Sequence, residues 1–128
     1  MTTATCKSHN DLIVWRKAIE LAVEVHRVTT RFPRHELFGL ASQLRRAAIS
    51  IPSNVAEGAA RRTTRDLVAF LHVARGSLAE VETQLLLAQQ VGYVDESARD
   101  ALMVHIDEVG RLLNGLISAL KVRLGTAP

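Results

Sequence analysis

Histidine and glutamate are the residue types in this sequence that could support metal or acid–base chemistry. Three of the five histidines, His26, His72 and His105, fall singly on different predicted helices. His35 and Glu36 are adjacent, but no second histidine follows at the spacing of a zinc-protease helix. The Glu-x-x-His pair used by carboxylate-bridged iron bundles is absent from all 128 residues. We therefore expect no metal site and no bound cofactor.

Nucleophilic and carboxylate catalysis find equally little support. Cys6 is the single cysteine, which excludes an internal disulfide, and it lies in an N-terminal stretch predicted to be loose. Glu80 and Glu82 are two residues apart on a predicted helix, so their side chains diverge. The sequence contains neither a Walker loop nor a glycine-rich dinucleotide turn. We predict that the protein is not an enzyme.

Arginine is the residue type whose distribution suggests a function. The net charge is +3, but residues 1–65 carry a net +6 and residues 66–128 a net −3. The basic half contains two clusters, which are the pair Arg45 and Arg46 and the trio Arg61, Arg62 and Arg65. Such a bias can be the electrostatic footprint of a nucleic-acid-binding surface. Alternatively, the two halves neutralise each other across the fold or between subunits.

The elements that position these arginines are predicted to be helices. Hydrophobic residues make up 48% of the chain but aromatic residues only 4%, and three prolines leave little room for β turns. Apolar positions repeat at helical spacing in four segments: about Leu12 to Arg31, from His35 or Glu36 to about Glu57, from about Thr63 to Gln90, and after a cap at Asp95 or Ser97. Short connections predict an all-α, up-down-up-down antiparallel four-helix bundle. The bundle should cover residues 10–122, with a flexible N-terminus (1–9) and tail (123–128).

The stretch ISIPSNVAEG, residues 49–58, places Pro52 inside the second predicted helix. Proline in a helix interior costs roughly 3 kcal/mol. The apolar register nevertheless passes from Ala48 through Ile51 to Val55 without losing phase. We therefore expect the helix to continue with a kink and to stop at Gly58. The alternative is a break at Ser50, with Pro52 opening a new short helix.

The side chains around Pro52 suggest a close packing surface. Ser50, Ser53 and Asn54 could bond the carbonyl that the proline leaves free near Ala48. Small neighbours along the same segment would let another helix or a subunit approach, with a ligand contact as the second interpretation. Gly76, inside the third helix, also predicts a close helix contact, because glycine there costs about 1 kcal/mol relative to alanine.

Two strings in the chain carry a resemblance to a known family. QLRRAAISIPSNVAEG and GSLAEVETQLLLA resemble the bacterial four-helix-bundle proteins encoded in intervening sequences of large-subunit ribosomal RNA genes, and the resemblance covers about residues 10 to 122. That family is similar to the accessory variability protein of diversity-generating retroelements, a positively charged pentameric barrel that engages a reverse transcriptase and nucleic acid. The resemblance implies a four-helix protomer, a homopentamer and no catalysis. It also makes RNA or DNA and a reverse transcriptase candidate partners.

Two functions remain open at this point. In the first, the protein is a nucleic-acid-associated accessory factor whose phosphate contacts are the two arginine clusters. In the second, it is a structural or protein-interaction module whose arginines pair with Glu57, Glu80 or Glu82 of a neighbouring subunit. The wide apolar face of the first helix favours a homo-oligomer in either case. The N-terminus lacks the apolar run of a signal peptide and no 18-residue apolar stretch occurs, so we expect a cytoplasmic protein without a membrane partner.

Overall fold

The computed structural model describes residues 9–125, which form four α-helices and one short 3-10 helix. The α-helices are α1 (His9–Thr29), α2 (Leu40–Ala59), α3 (Thr64–Gln90) and α4 (Glu96–Arg123), and the 3-10 helix (Arg34–Glu36) lies between α1 and α2. No strand occurs within these residues. The prediction of an all-α chain with four helices is therefore confirmed. The predicted flexible ends, and Cys6 with them, lie largely outside the described residues.

Two of the helix starts are capped by the side chains that the sequence predicts. Thr63 precedes α3, and its hydroxyl accepts a hydrogen bond from the backbone N–H of Asp66 at 3.1 Å. Asp95, rather than Ser97, precedes α4, and its carboxylate accepts from the N–H of Ala98 at 2.7 Å. Each bond satisfies one of the N–H groups that a helix leaves without an internal partner. Local side-chain chemistry thus fixes where α3 and α4 begin.

The start of α2 differs from the prediction. Residues 34–36 form the 3-10 turn, and α2 begins only at Leu40, four or five residues later than expected. The carboxylate of Glu36 accepts the N–H of Leu40 at 3.0 Å and so caps α2 from outside the helix. A side chain at Gly39 would place its Cβ 2.5 Å from the Glu36 carboxylate oxygen. The glycine therefore makes room for this cap.

The second helix passes through Pro52 without interruption. Pro52 lies inside α2 and is buried, as are Ile51 and Val55 on either side of it. The predicted continuity is confirmed, and the alternative break at Ser50 is wrong. The predicted stop at Gly58 is also wrong, because α2 includes Gly58 and ends at Ala59. Whether the proline bends the helix stays a prediction.

The core consists of aliphatic side chains from all four helices. α1 packs against α2 and α4, and α3 packs against the same two helices. The largest fully buried side chains are mostly leucine, isoleucine and valine, among them Leu21, Leu44, Ile51, Leu71, Leu85 and Leu113. Within residues 9–125, none of the helices combines the length and apolar content that a membrane crossing requires.

A close approach of α2 and α3 falls at a glycine that the sequence does not single out for packing. A Cβ on Gly58 of α2 would lie 2.8 Å from the Cβ of Phe70 and 3.0 Å from a methyl of Leu67, both on α3. At Gly76, predicted to mark such a contact, a Cβ would meet nothing within 4 Å among residues 9–125, the backbone of its own helix aside. The prediction for Gly76 is therefore wrong within the protomer. The α2–α3 contact depends on Gly58 instead.

Candidate nucleic-acid interface

The connection between α2 and α3, together with the first turn of α3, presents three arginines. Arg61, Arg62 and Arg65 are all exposed. The guanidinium carbon of Arg61 lies 4.9 Å from the centroid of the Phe70 ring, a cation–π distance. The Cβ of Phe70 in turn packs closely against Gly58. We call Arg61, Arg62 and Arg65 the connection patch.

Within residues 9–125, no carboxylate lies within ion-pair distance of any arginine of the connection patch. Asp66 follows Arg65 in sequence, but its carboxylate forms no ion pair within the described residues. The three positive charges are consequently offered to solvent rather than neutralised inside the protomer. Such an arrangement suits a polyanion, whose phosphates are attracted without competition from an internal acid.

Arg45 and Arg46, adjacent in sequence, occupy different environments on α2. Arg45 is half-buried, and its Nε donates to the hydroxyl of Thr29 on α1 at 2.8 Å. Arg46 is exposed and lines a groove between α2 and α3 with Glu80 and Gln84. The side-chain oxygen of Gln84 is buried there without a hydrogen-bond partner. The pair therefore does not act as one cluster.

The five predicted arginines do not form a single surface. Arg45 precedes Arg61 by 16 residues, which at about 1.5 Å of rise per helical residue places them roughly 24 Å apart. Arg45 instead shares a groove with Arg34, which the sequence prediction did not include. The structure thus contains two basic regions, one at the connection patch and one beside the α1–α2 turn. In the sequence, the end of the first predicted helix at Phe32–Pro33 was the one signal for the basic region beside the α1–α2 turn.

The predicted side chains around Pro52 form a polar link between α2 and α3. Ser50 and Ser77 share a hydrogen bond between their hydroxyls at 2.8 Å. The amide nitrogen of Asn54 donates to the carbonyl of Ser50 at 2.8 Å and to its hydroxyl at 2.9 Å. Ser53 is exposed and takes no part. The carbonyl bonded by Asn54 is that of Ser50, not the one near Ala48 that the sequence predicted.

The histidines do not gather into a site. Within residues 9–125, no group of three or more histidine, cysteine, aspartate or glutamate side chains is placed to hold a metal ion. His72 shares a hydrogen bond with Arg75, whose guanidinium also donates to Asn114 on α4. Burial, and then the charges of Lys121 and Arg75, lower the pKa of His72. A neutral imidazole therefore serves the α3–α4 contact.

A half-buried link between two turns is absent from the sequence predictions. The hydroxyl of Tyr93, in the α3–α4 turn, donates to the carboxylate of Glu36 in the α1–α2 turn at 2.7 Å. Gly92 has a φ of 88°, which lets the chain reverse after α3 so that the N–H of Tyr93 bonds the carbonyl of Ala88 at 2.9 Å. The Tyr93 ring also contacts Phe32, with ring centroids 5.4 Å apart. In the sequence, Gly92 after the third predicted helix was the one signal of this chain reversal.

Hydrogen bonding shifts the acidity of both partners in this link. The N–H of Leu40 and then the hydroxyl of Tyr93 lower the pKa of Glu36, because both favour the carboxylate. The same hydrogen bond raises the pKa of Tyr93. Glu36 therefore stabilises the fold above its ordinary pKa of 4.5, and that stabilisation is lost as pH falls through the lower folded value.

Replacing Tyr93 with phenylalanine should expose this pH dependence. The substitution keeps the ring contact with Phe32 but removes the donor to Glu36. We expect a lower melting temperature at pH 7. The difference from the wild type should narrow as the pH falls below the ordinary glutamate pKa of 4.5 and through the lower folded pKa of Glu36, because the carboxylate is then protonated. Thermal unfolding followed by circular dichroism measures it. An equal difference at pH 3 and pH 7 would show that the carboxylate is not the partner that matters.

The fold defines the class of the molecule as an all-α protein built from four packed helices. Residues 10–115 match the family described as 23S rRNA-intervening sequence protein. The chain belongs to this family, and the predicted resemblance is confirmed on that point. The further relation to the accessory variability protein of retroelements stays a prediction.

A solved structure agrees with this assignment at the level of the fold. The crystal structure of a protein of unknown function from the S23 ribosomal protein family of Bacteroides thetaiotaomicron is similar, with a TM-score of 0.79 and 23% sequence identity. The similarity covers 85% of this chain and 98% of that chain. No curated protein matches. The fold is therefore shared, and the function has to be argued from the surface.

Proposed function

We propose that this protein is a non-enzymatic accessory factor that binds nucleic-acid phosphates electrostatically through the connection patch. The observation that carries the proposal is that Arg61, Arg62 and Arg65 are exposed around the start of α3 and form no ion pair within residues 9–125. RNA is the first ligand to test, because the family is named for an intervening sequence of 23S rRNA. DNA is the second.

A homo-oligomer, most simply a pentamer by the family resemblance, would strengthen such binding. Ile19 and Val23 on α1 are 37% and 42% exposed, which supports a second burial surface on the helix whose apolar face is unusually wide. A ring repeats each connection patch, so that modest contacts add up along one polyanion.

The remaining parts of the proposal follow from the sequence and the resemblance. The helices run up-down-up-down, which the short connections support, and Pro52 bends α2. The protein acts in the cytoplasm, and a reverse transcriptase is a candidate partner by analogy with the retroelement protein. Within residues 9–125, Phe38 is the one exposed aromatic side chain, which is too few for base-by-base reading of a single strand. Binding should therefore depend little on sequence.

A second candidate function rests on a different observation. Glu57, Glu80 and Glu82 are exposed, and within residues 9–125 none of them forms an ion pair. In an oligomer they could receive arginines of a neighbouring subunit. The protein would then be a structural or interaction module whose arginines are neutralised at the subunit interfaces.

The affinity of the purified protein for a labelled RNA, measured by fluorescence anisotropy at increasing salt, tests the two functions. Phosphate binding predicts an affinity that falls steeply and linearly on a log–log plot between about 50 and 200 mM salt. Light scattering on the same sample should give the mass of an oligomer. Absence of RNA binding at the lowest salt, with the oligomer intact, would favour the structural module.

A further inference from the structure

A groove beside the α1–α2 turn is built differently from the connection patch. It has a volume of about 240 Å³, and its lining includes Thr30, Phe32, Pro33, Arg34, Leu37 and Arg45. The end of α1 supplies one side and the first half of α2 the other. We call it the turn groove.

The turn groove holds two guanidinium groups and no carboxylate among its lining residues. Arg45 is half-buried, and its Nε is fixed by the Thr29 hydroxyl at 2.8 Å. Its remaining N–H donors have no partner within residues 9–125. Glu36 is the single acid between Arg34 and Arg45 in the chain, and its two oxygens are taken by Leu40 and Tyr93. A partly desolvated cation without a counter-ion is costly, so an external anion would be stabilising here.

The remaining lining indicates that this anion is attached to an organic body. Phe32, Pro33 and Leu37 give the groove an apolar wall, and the Phe32 ring is held in place by Tyr93. The volume is below the roughly 300–1,000 Å³ of pockets that enclose a whole small molecule. The groove therefore fits one charged group and the part of the ligand next to it. The N–H fork of a single guanidinium matches the geometry of a phosphate oxygen pair.

We propose that the turn groove binds the phosphate group of a nucleotide, with Arg34 and Arg45 on the phosphate and the Phe32–Pro33 wall against the sugar or base. The nucleotide is either free or the terminal unit of a strand. The inference rests on the proposed function in its choice of a phosphate over a carboxylate. It names a second site, however, about 24 Å along α2 from the connection patch.

Calorimetric titration of the full chain with adenosine 5′-monophosphate tests the site. We expect saturable binding that is at least about tenfold weaker for adenosine, because the phosphate supplies the charge-assisted bonds. Arg34→Ala should weaken it by roughly tenfold, and Arg45→Lys should do so too, since lysine keeps the charge but not the fork. Arg34 is exposed, so its replacement leaves folding intact. Arg46→Ala, which removes an equal charge from the other side of α2, is the matched control and should change the affinity less than about twofold.

Other outcomes would overturn the proposal. Equal weakening by Arg34→Ala and Arg46→Ala would show attraction to overall charge, without a site. Benzoate binding as tightly as the nucleotide would assign the groove to a carboxylate. No saturation at millimolar nucleotide in low salt would remove the site altogether.

Further outcomes distinguish a free nucleotide from a strand end. They also distinguish failure of this site from failure of the proposed function. An RNA oligonucleotide with a 5′-phosphate that binds more tightly than its 5′-hydroxyl form, and loses this advantage in Arg34→Ala, supports the site and assigns it to strand ends. Equal affinity of the two oligonucleotides, with nucleotide binding retained, supports a site for free nucleotide. Nucleotide binding without any RNA binding would keep this site and contradict the proposed function. RNA binding without nucleotide binding would contradict this site and keep the proposed function.

Discussion

Simultaneous replacement of Arg61, Arg62 and Arg65 with alanine should weaken RNA binding by roughly ten- to a hundredfold at low salt. Each arginine that neutralises one phosphate contributes about 0.7 to the log–log salt slope for a single strand, so the slope should flatten by about 2. Helicity should stay unchanged, because all three side chains are exposed. Fluorescence anisotropy at several salt concentrations measures both the affinity and the slope.

The matched control removes the same charge elsewhere. Arg27 and Arg99 are paired with Glu24 and Asp100, and Arg111 is exposed on α4. Replacing these three with alanine also lowers the net charge by three. The control should retain most of the affinity and the full slope. If both triple variants lose affinity equally, RNA responds to total charge and the connection patch is not the contact surface.

Among the three arginines, Arg61 carries an additional structural role. Its stacking on Phe70 contributes about 0.5–1 kcal/mol at an exposed site, so the triple variant is slightly less stable even if it never meets RNA. An Arg61→Lys variant keeps the charge and weakens the stack. If phosphate attraction dominates, this variant should bind RNA nearly as well as the wild type. A large loss would mean that the orientation of the guanidinium matters as much as its charge.

The parts of the fold that follow local rules could be predicted from the sequence. Thr63 and Asp95 cap helices because a short polar side chain bonds an N–H two or three residues later, which a linear pattern reveals. The passage of α2 through Pro52 was also readable, because the apolar register keeps its phase across the proline. In these cases the deciding interaction lies within one turn of helix.

The parts that depend on distant residues could not be predicted. Glu36 and Tyr93 are 57 residues apart, and their hydrogen bond exists only because two turns meet at the same place. This bond, with the Leu40 cap, also explains why α2 starts late. The arginines were grouped by their nearness in sequence, but helix geometry separates Arg45 from Arg61 and turns Arg45 and Arg46 to different grooves. Side-chain direction on a helix changes by about 100° per residue, so neighbours in sequence need not share a surface.

The surroundings of the helical glycines Gly58 and Gly76 also depend on residues that are distant in sequence. They lead to a second prediction, which concerns stability. Gly58→Ala should destabilise the protein, whereas Gly76→Ala should stabilise it. At Gly58 the new methyl would lie 2.8 Å from the Phe70 Cβ, and overpacking of this kind costs about 1–3 kcal/mol. At Gly76 the methyl meets nothing within 4 Å, so the gain in helix propensity of up to about 1 kcal/mol remains. Chemical denaturation of both variants measures the change in the free energy of unfolding, which should be opposite in sign.

A graded series sharpens the contrast. Gly58→Val adds further methyls against Leu67 and Phe70, so its loss should reach roughly 3 kcal/mol, and it should also disturb the ring on which Arg61 stacks. RNA affinity should then fall together with stability in the Gly58 series but not in Gly76→Ala. If both alanine variants are equally stabilised, α2 and α3 accommodate the methyl at Gly58 without a loss in the free energy of unfolding. If Gly76→Ala instead loses stability and shifts to a smaller assembly, the surface of α3 around Gly76 is a subunit contact, because the new methyl meets nothing within 4 Å among residues 9–125.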